Sequence, residues 1–255
     1  MPRPLVLCSN DDGIESPHLI GLADRLEAFA DVIVVAPERQ RSAASHAITL
    51  HKPLRLTELA PRRFSLSGTP VDCVYLGTLK LCDRLPAVVV SGVNDGFNLG
   101  SDVFYSGTVA AAVEGALRGA AGIAISLAPR AEQPERGLDF AAALVRAAIA
   151  EPAPKGTVLN VNLPGNGSDE YQWTTLGRRF YADDVSERKD PRGRPYYWVG
   201  GGPTGHDDVE GTDCVAIDRG WNSITPMHLD LTDRKRIAAP PWAIDGFRVV
   251  VGSPS

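Results

Sequence analysis

Short, largely apolar runs recur along the first part of the chain, at residues 5–9, 31–36, 87–91, 122–127 and 157–163. Each has the length of a buried strand. Between them, apolar positions return with helical spacing over residues 18–29, 70–82, 108–118 and 140–150. Start and stop signals support these helices. Ser16 precedes the first, Thr69-Pro70-Val71-Asp72 supplies a cap, a first-turn proline and an acidic third residue for the second, and Gly119 ends the third. Strands alternating with helices predict an α/β fold, a parallel sheet covered by helices on both faces.

After Pro164 the pattern changes. Residues 171–176, 195–199 and 214–218 read as short strands between Gly-rich or charged connections, with no strand-helix-strand unit. The charged segment 183–194 has little to bury and is expected to project as a hairpin or arm. The GGGPTG stretch at 200–205 lacks the strand-to-helix setting and the Lys-Ser/Thr ending of a phosphate loop and reads as a connector. Residues 247–251 look like a last strand. The expected division is a core over 1–164 and a β-rich region with a tail over 165–255.

Composition narrows the class. With 255 residues, 44% apolar and 22% charged, the chain has an ordinary globular make-up and enough length for a substantial core. A net charge of -5 offers no general attraction to nucleic acid or an anionic membrane, so neither is an expected partner. No apolar stretch approaches the ~18 residues of a membrane span, and the N-terminal run is too short for a secretory signal, so a cytoplasmic location is expected. Cys8, Cys73, Cys82 and Cys214 form no CxxC pair and are expected to be buried free thiols.

The chemistry gathers in loops that follow the early strands. In an open α/β sheet, ligands bind outside the carboxyl ends of the strands. There the first strand runs into Ser9-Asn10-Asp11-Asp12-Gly13. Gly13 permits a turn that brings both carboxylates to one site for a hard cation. Alternatively, Asp11 and Asp12 form the turn or cap the next helix. The second strand is followed by Glu38-Arg39-Gln40-Arg41-Ser42, and the strand at 87–91 by SGVNDGFNLG. Its glycines, spaced by four, are not those of a dinucleotide fingerprint. Asp11, Asp12, Ser42 and Asn94 would form an all-oxygen set suited to Mg²⁺ or Mn²⁺, although Ser42 and Asn94 also serve in ordinary turns. Tyr105-Ser106-Gly107-Thr108 opens the alanine-rich helix, where free N–H groups and two hydroxyls suit an anion; plain N-capping is the other reading. No GxSxG elbow is present, and His46 alone follows an early strand-end loop closely, which argues against a Ser-His-Asp triad.

The segments SNDDGI, APERQRSAASHAITL, SGTPVDCVYLG and VVSGVNDGFNLGSDVFYSGTVAAAVEGAL, followed by EGTDCVAI and SITPMHLDLT, resemble in order the stationary-phase survival protein SurE family over residues 5–233. The resemblance implies a Rossmann-like core with a C-terminal β-rich arm exchanged between subunits, in a homodimer or homotetramer. It also implies one divalent metal ion per subunit and hydrolysis of nucleoside 5′- and 3′-monophosphates, with polyphosphate as a further substrate in some members. Carried over by position, Asp11, Asp12, Ser42 and Asn94 are metal ligands, and Asn98 with Ser106, Gly107 and Thr108 faces the phosphate. Asp11, Asp12 and Asn98 are then the catalytic residues, with Asn10 and His228 expected to support the site. One departure stands out: the small-residue turn ending in Gly that commonly follows NDDGI is ESPHL here, with His18 at its end. The rival readings are an exopolyphosphatase or other phosphomonoesterase, and a nucleotide sensor without turnover.

Overall fold

The computed structural model describes residues 3–181, 185–199 and 204–238. In chain order the core elements are β1 (Leu5–Ser9), α1 (Pro17–Glu27), β2 (Asp31–Pro37), β3 (Leu56–Ala60), β4 (Arg63–Leu66), α2 (Pro70–Leu76), β5 (Val88–Asp95), α3 (Gly107–Leu117), β6 (Ala121–Leu127), α4 (Pro134–Ala150) and β7 (Val158–Leu163). They are followed by β8 (Tyr171–Trp173), β9 (Arg179–Tyr181), β10 (Val185–Lys189), β11 (Pro195–Val199), β12 (Thr204–His206), α5 (Asp213–Asp218), β13 (Asn222–Met227) and α6 (Arg234–Ala238).

One nine-stranded sheet runs in the order β3-β4-β2-β1-β5-β6-β7-β13-β8. From β4 through β7 all neighbours are parallel, as the alternating pattern predicted. The chain moves one way from β1 to β2 and then crosses to β5 on the other side of β1. That reversal places a crevice between the ends of β1 and β5, the place where open α/β sheets bind ligands.

Strand alternation divides the core. Val6, Cys8, Val32, Val34, Val88 and Val90 pack on one face against Leu19, Leu22 and Leu26 of α1 and Leu138, Ala141 and Val145 of α4. Leu5, Leu7, Ile33, Val35 and Val89 face the other way, onto Cys73 and Val74 of α2 and Ala111 of α3. Period-two strands and period-3.6 helices thus bury complementary stripes on both faces. Contact with α3 is close enough to exclude a side chain: a Cβ at Gly115 would lie 2.4 Å from Val89 Cβ, and one at Gly122 2.2 Å from the Ala112 carbonyl oxygen.

Four features differ from the sequence reading. Residues 214–218 are not a strand but helix α5, capped by the Thr212 hydroxyl accepting from Val215 N–H. The hairpin β3–β4 has no counterpart among the expected elements. Helix α4 begins at Pro134, six residues before the expected 140, because its first turns carry polar residues. Finally, the sheet continues past residue 164, since β13 pairs antiparallel with β7 and β8 parallel with β13.

The charged segment does project. β10 and β11 pair as an antiparallel hairpin whose tip is closed by Asp190, which accepts the main-chain N–H groups of Arg192 and Arg194. Residues 183–184, 200–203 and 247–251 lie outside the described residues. Cys8, Cys73 and Cys214 are buried free thiols and Cys82 is half-buried. Burial pushes the Cys8 thiol up to about 12, which leaves it unreactive at neutral pH. Among the described residues no helix is long and apolar enough to cross a membrane.

Candidate active site

Asn10 builds the turn that ends β1. Its side-chain amide donates to the Gly13 carbonyl at 2.9 Å, and its Oδ1 accepts Gly13 N–H at 3.1 Å. Gly13 has φ +104, and a Cβ there would press on the Arg39 main chain at 3.2 Å. Glycine is therefore required twice over, by conformation and by space. Helix α1 begins only at Pro17 after Ser16, so neither Asp11 nor Asp12 caps it. Both carboxylates line a cavity of about 310 Å³ at the crevice beside β1 and β5.

Asp11 is buried, and its Oδ1 accepts the Thr108 hydroxyl at 2.5 Å. Burial pushes its carboxyl up to about 6; the charge of Asp12 adds to the rise and the Thr108 bond opposes it. Asp12 is also raised, first by burial and then by the nearby Asp95, against the Asp95 N–H bond and the charge of His18. Two carboxylates held close together and partly dehydrated favour protons or a cation over ionisation in isolation. Each keeps coordinating capacity: Asp11 Oδ2 has no hydrogen-bond partner among the described residues, and Asp12 receives only long contacts, from Gln40 Nε2 at 3.4 Å and Asp95 N at 3.3 Å.

The loop after β2 closes over these carboxylates. Arg41 N–H donates to the Asp11 carbonyl at 2.7 Å, and Ser45 is held to the Phe104 and Tyr105 carbonyls at 2.7 and 3.1 Å. Ser42, between these anchors, lines the cavity. His46 Nε2 lies 3.2 Å from Glu114 on α3, which also accepts Arg118 Nε at 2.6 Å. His46 therefore fastens the loop to α3 and is not part of a serine triad.

The end of β5 supplies Asn94 and the loop after it Asn98, both lining the cavity. The Asn94 amide nitrogen is committed to the Gly96 carbonyl at 2.7 Å, which leaves its Oδ1 as the coordinating atom. Asn98 is nearly buried: its Nδ2 donates to Ser126 Oγ at 2.7 Å, and its carbonyl accepts from Asn160 and Asn162 at 2.8 and 3.1 Å. Ser106 caps α3, accepting Val109 N–H, and borders the cavity. Gly107 is needed for contact, since a Cβ there would stand 3.1 Å from Asp11 Cβ. Thr108 is fully buried with its hydroxyl on Asp11, so of the expected anion turn it is the member that supports the carboxylate from behind.

The chain does not bring His228 to this site. It is exposed and follows Met227, which pairs with Val158 at the start of β7, so it sits at the opposite end of the sheet. Conversely, Asp95, Asp102 and Tyr181 line the cavity although the sequence does not mark them as site residues, and Tyr105 of the expected anion turn lines it with them. Asp102 accepts from both Arg179 and the Tyr181 hydroxyl. Adjacency to Asn94 was the one signal for Asp95; Tyr181 lies 79 residues from Asp102 and had no local signal.

An α/β sheet with paired carboxylates, neutral oxygen donors and a helix N-terminus at its switch point is the architecture of a hydrolase acting on phosphate esters through a hard cation. The model of the family described as Survival protein SurE matches residues 6–183, and the chain belongs to that family. It is 50% identical over 250 residues to a protein of Anaeromyxobacter dehalogenans strain 2CP-C named 5′-nucleotidase SurE, covering 95% of this chain and 97% of that one. The protein of the same name from Myxococcus xanthus is 47% identical, with 95% and 94% covered. The fold matches the crystal structure of a SurE protein from Aquifex aeolicus with a TM-score of 0.81 and 36% identity, over 93% of this chain and 98% of that one.

Proposed function

We propose that this chain is a divalent-metal-dependent nucleotidase that hydrolyses nucleoside 5′- and 3′-monophosphates to nucleoside and phosphate. The observation that carries the reading is the meeting of Asp11, Asp12, Ser42, Asn94 and the start of α3 on one cavity. The donor set fits one Mg²⁺ or Mn²⁺: two carboxylates and neutral oxygens, with room for water and a phosphate oxygen. Among the described residues no cluster of three His, Cys, Asp or Glu side chains suits a metal, which speaks against a zinc-type cage. When bound, the cation supplies positive charge to a phosphoryl oxygen and makes a coordinated water more acidic.

Asp11 and Asp12 hold that cation, with Ser42 and Asn94 completing the protein's share. The N–H groups at the start of α3, together with Ser106 and Asn98, receive the phosphoryl oxygens and stabilise the charge that builds on them in the transition state. Thr108 keeps the Asp11 carboxyl oriented.

The second region, 165–255, contributes the Tyr181 wall of the cavity and is assigned to assembly. Tyr197, Trp198 and Val199 on the hairpin are 57%, 60% and 85% exposed, a large apolar surface for a charged arm to leave in water. Exchange of this arm in a homodimer or homotetramer covers it. We place the enzyme in the cytoplasm. A panel of mononucleotides and polyphosphate, each with Mn²⁺ and with excess chelator, tests the activity. Mn²⁺-dependent phosphate release from mononucleotides is expected; preference for polyphosphate, or tight mononucleotide binding without release, would replace the assignment.

A further inference from the structure

Asp213 begins the six-residue helix α5, is fully buried and touches neither the cavity nor a cationic side chain among the described residues. Its carboxylate accepts three main-chain N–H groups: Gly100 on Oδ2 at 2.8 Å, and Gly177 and Cys214 on Oδ1 at 2.7 and 2.9 Å. Both oxygens are thus occupied by donors from three separate segments. The segments meet through bare glycines. Gly100 has φ +53, and a Cβ on it would lie 2.4 Å from the Gly177 carbonyl oxygen; a Cβ on Gly177 would lie 2.8 Å from Cys214 Sγ. Such contacts leave no freedom for the backbone to slide.

Gly100 stands in the segment that carries the phosphate side of the site. Two residues upstream, Asn98 is locked by Ser126, Asn160 and Asn162; two residues downstream, Asp102 is held by Arg179 and Tyr181, and Ser106 follows. The carboxylates Asp11 and Asp12 are fixed by groups outside that segment, Asn10, Arg41 and Thr108, while the loop carrying Ser42 is tied to the segment through Ser45 on the Phe104 and Tyr105 carbonyls. We propose that Asp213 is a positioning residue for the reaction, setting segment 98–106 from a distance of 113 residues in sequence and so governing the phosphate half of the site more than the paired carboxylates of the metal half. This rests on the reading of that segment as the phosphate side. Asparagine in its place offers one acceptor oxygen and turns an N–H donor toward another N–H, so a single substitution opposes the arrangement without changing volume.

The test is Asp213→Asn in the full chain, titrated with Mn²⁺ and, in saturating Mn²⁺, with inorganic phosphate. Phosphate affinity is expected to fall about tenfold and KM for a mononucleotide to rise in parallel, while Mn²⁺ affinity stays within about twofold. A variant with a lower melting temperature but unchanged phosphate affinity and KM would reduce Asp213 to a structural role and overturn the proposal. If the variant does not fold, hydrogen exchange on the wild type decides: phosphate with Mn²⁺ should slow the Gly100 and Gly177 amides together, because a ligand held by the segment opposes its opening. Unchanged exchange at both amides overturns the proposal as well. A wild type that binds no phosphate with Mn²⁺ would instead strike the reading of the site itself.

Discussion

Asp11→Asn should make the metal-free protein more stable while destroying the cation site. In the folded chain the Asp11 carboxyl is raised by burial from 3.8 to about 6, so the folded state is the better proton binder between those values. Stability therefore falls as pH rises through that window, and the whole cost of ionisation is present above it. About two pKa units at 1.36 kcal/mol each give roughly 3 kcal/mol as an upper value. Asparagine has the same shape, keeps an Oδ1 to accept the Thr108 hydroxyl and carries no charge. A gain of about 1–3 kcal/mol corresponds to about 3–10 °C in a chain of this size. The assay is thermal unfolding in excess chelator at pH 8 and at pH 5. The gain should be full at pH 8 and about half as large at pH 5, where the folded carboxyl is mostly protonated while the unfolded one is still ionised. A variant no more stable than wild type at pH 8, or one with the same gain at both pH values, would refute this account of the carboxylate.

Thr108→Val removes the hydroxyl that holds the Asp11 carboxyl down, so Mn²⁺ binding should weaken severalfold at pH 6.5 and recover by pH 8; calorimetry that shows no pH-dependent loss would exclude the coupling. For Glu114, the bonds from His46 and Arg118 outweigh burial and hold the carboxyl below 4.5, so its contribution is present above that value and lost as pH falls further. Glu114→Gln should lower stability by about 1–3 kcal/mol at pH 7, with a difference that shrinks below pH 4, read by denaturant unfolding. Replacing residues 187–194 with a short Gly-Ser linker should leave light scattering reporting smaller particles than the intact chain; an intact chain that is monomeric at micromolar concentration would remove the exchanged arm.

The parts of the molecule legible in its sequence are those where the chemistry is local. β1, β2 and β5 to β7 are buried on both faces and show as apolar runs, and the Asp11–Asp12 and Asn94–Asn98 loops follow them directly. β3 is exposed along its whole length at the sheet edge, so burial left no pattern to read there. α5 is hidden in the sequence because Cys-Val-Ala-Ile is apolar all round, and a four-residue apolar run does not separate strand from helix by period. Its Thr212 cap was the available clue. Asp102–Tyr181, Asp213–Gly100 and Asn98–Asn162 join residues far apart in the chain, and only the closed fold brings them together.

The central claim is that Asp11 and Asp12 hold the cation on which nucleotide hydrolysis depends. It is tested most directly by phosphate release from a nucleoside 5′-monophosphate at limiting Mn²⁺, comparing wild type with folded Asp12→Asn. The account predicts turnover by the wild type that stops in excess chelator, and a variant near the background rate because half the formal charge of the site is gone. Undiminished turnover by Asp12→Asn, or full wild-type activity in chelator, would contradict it.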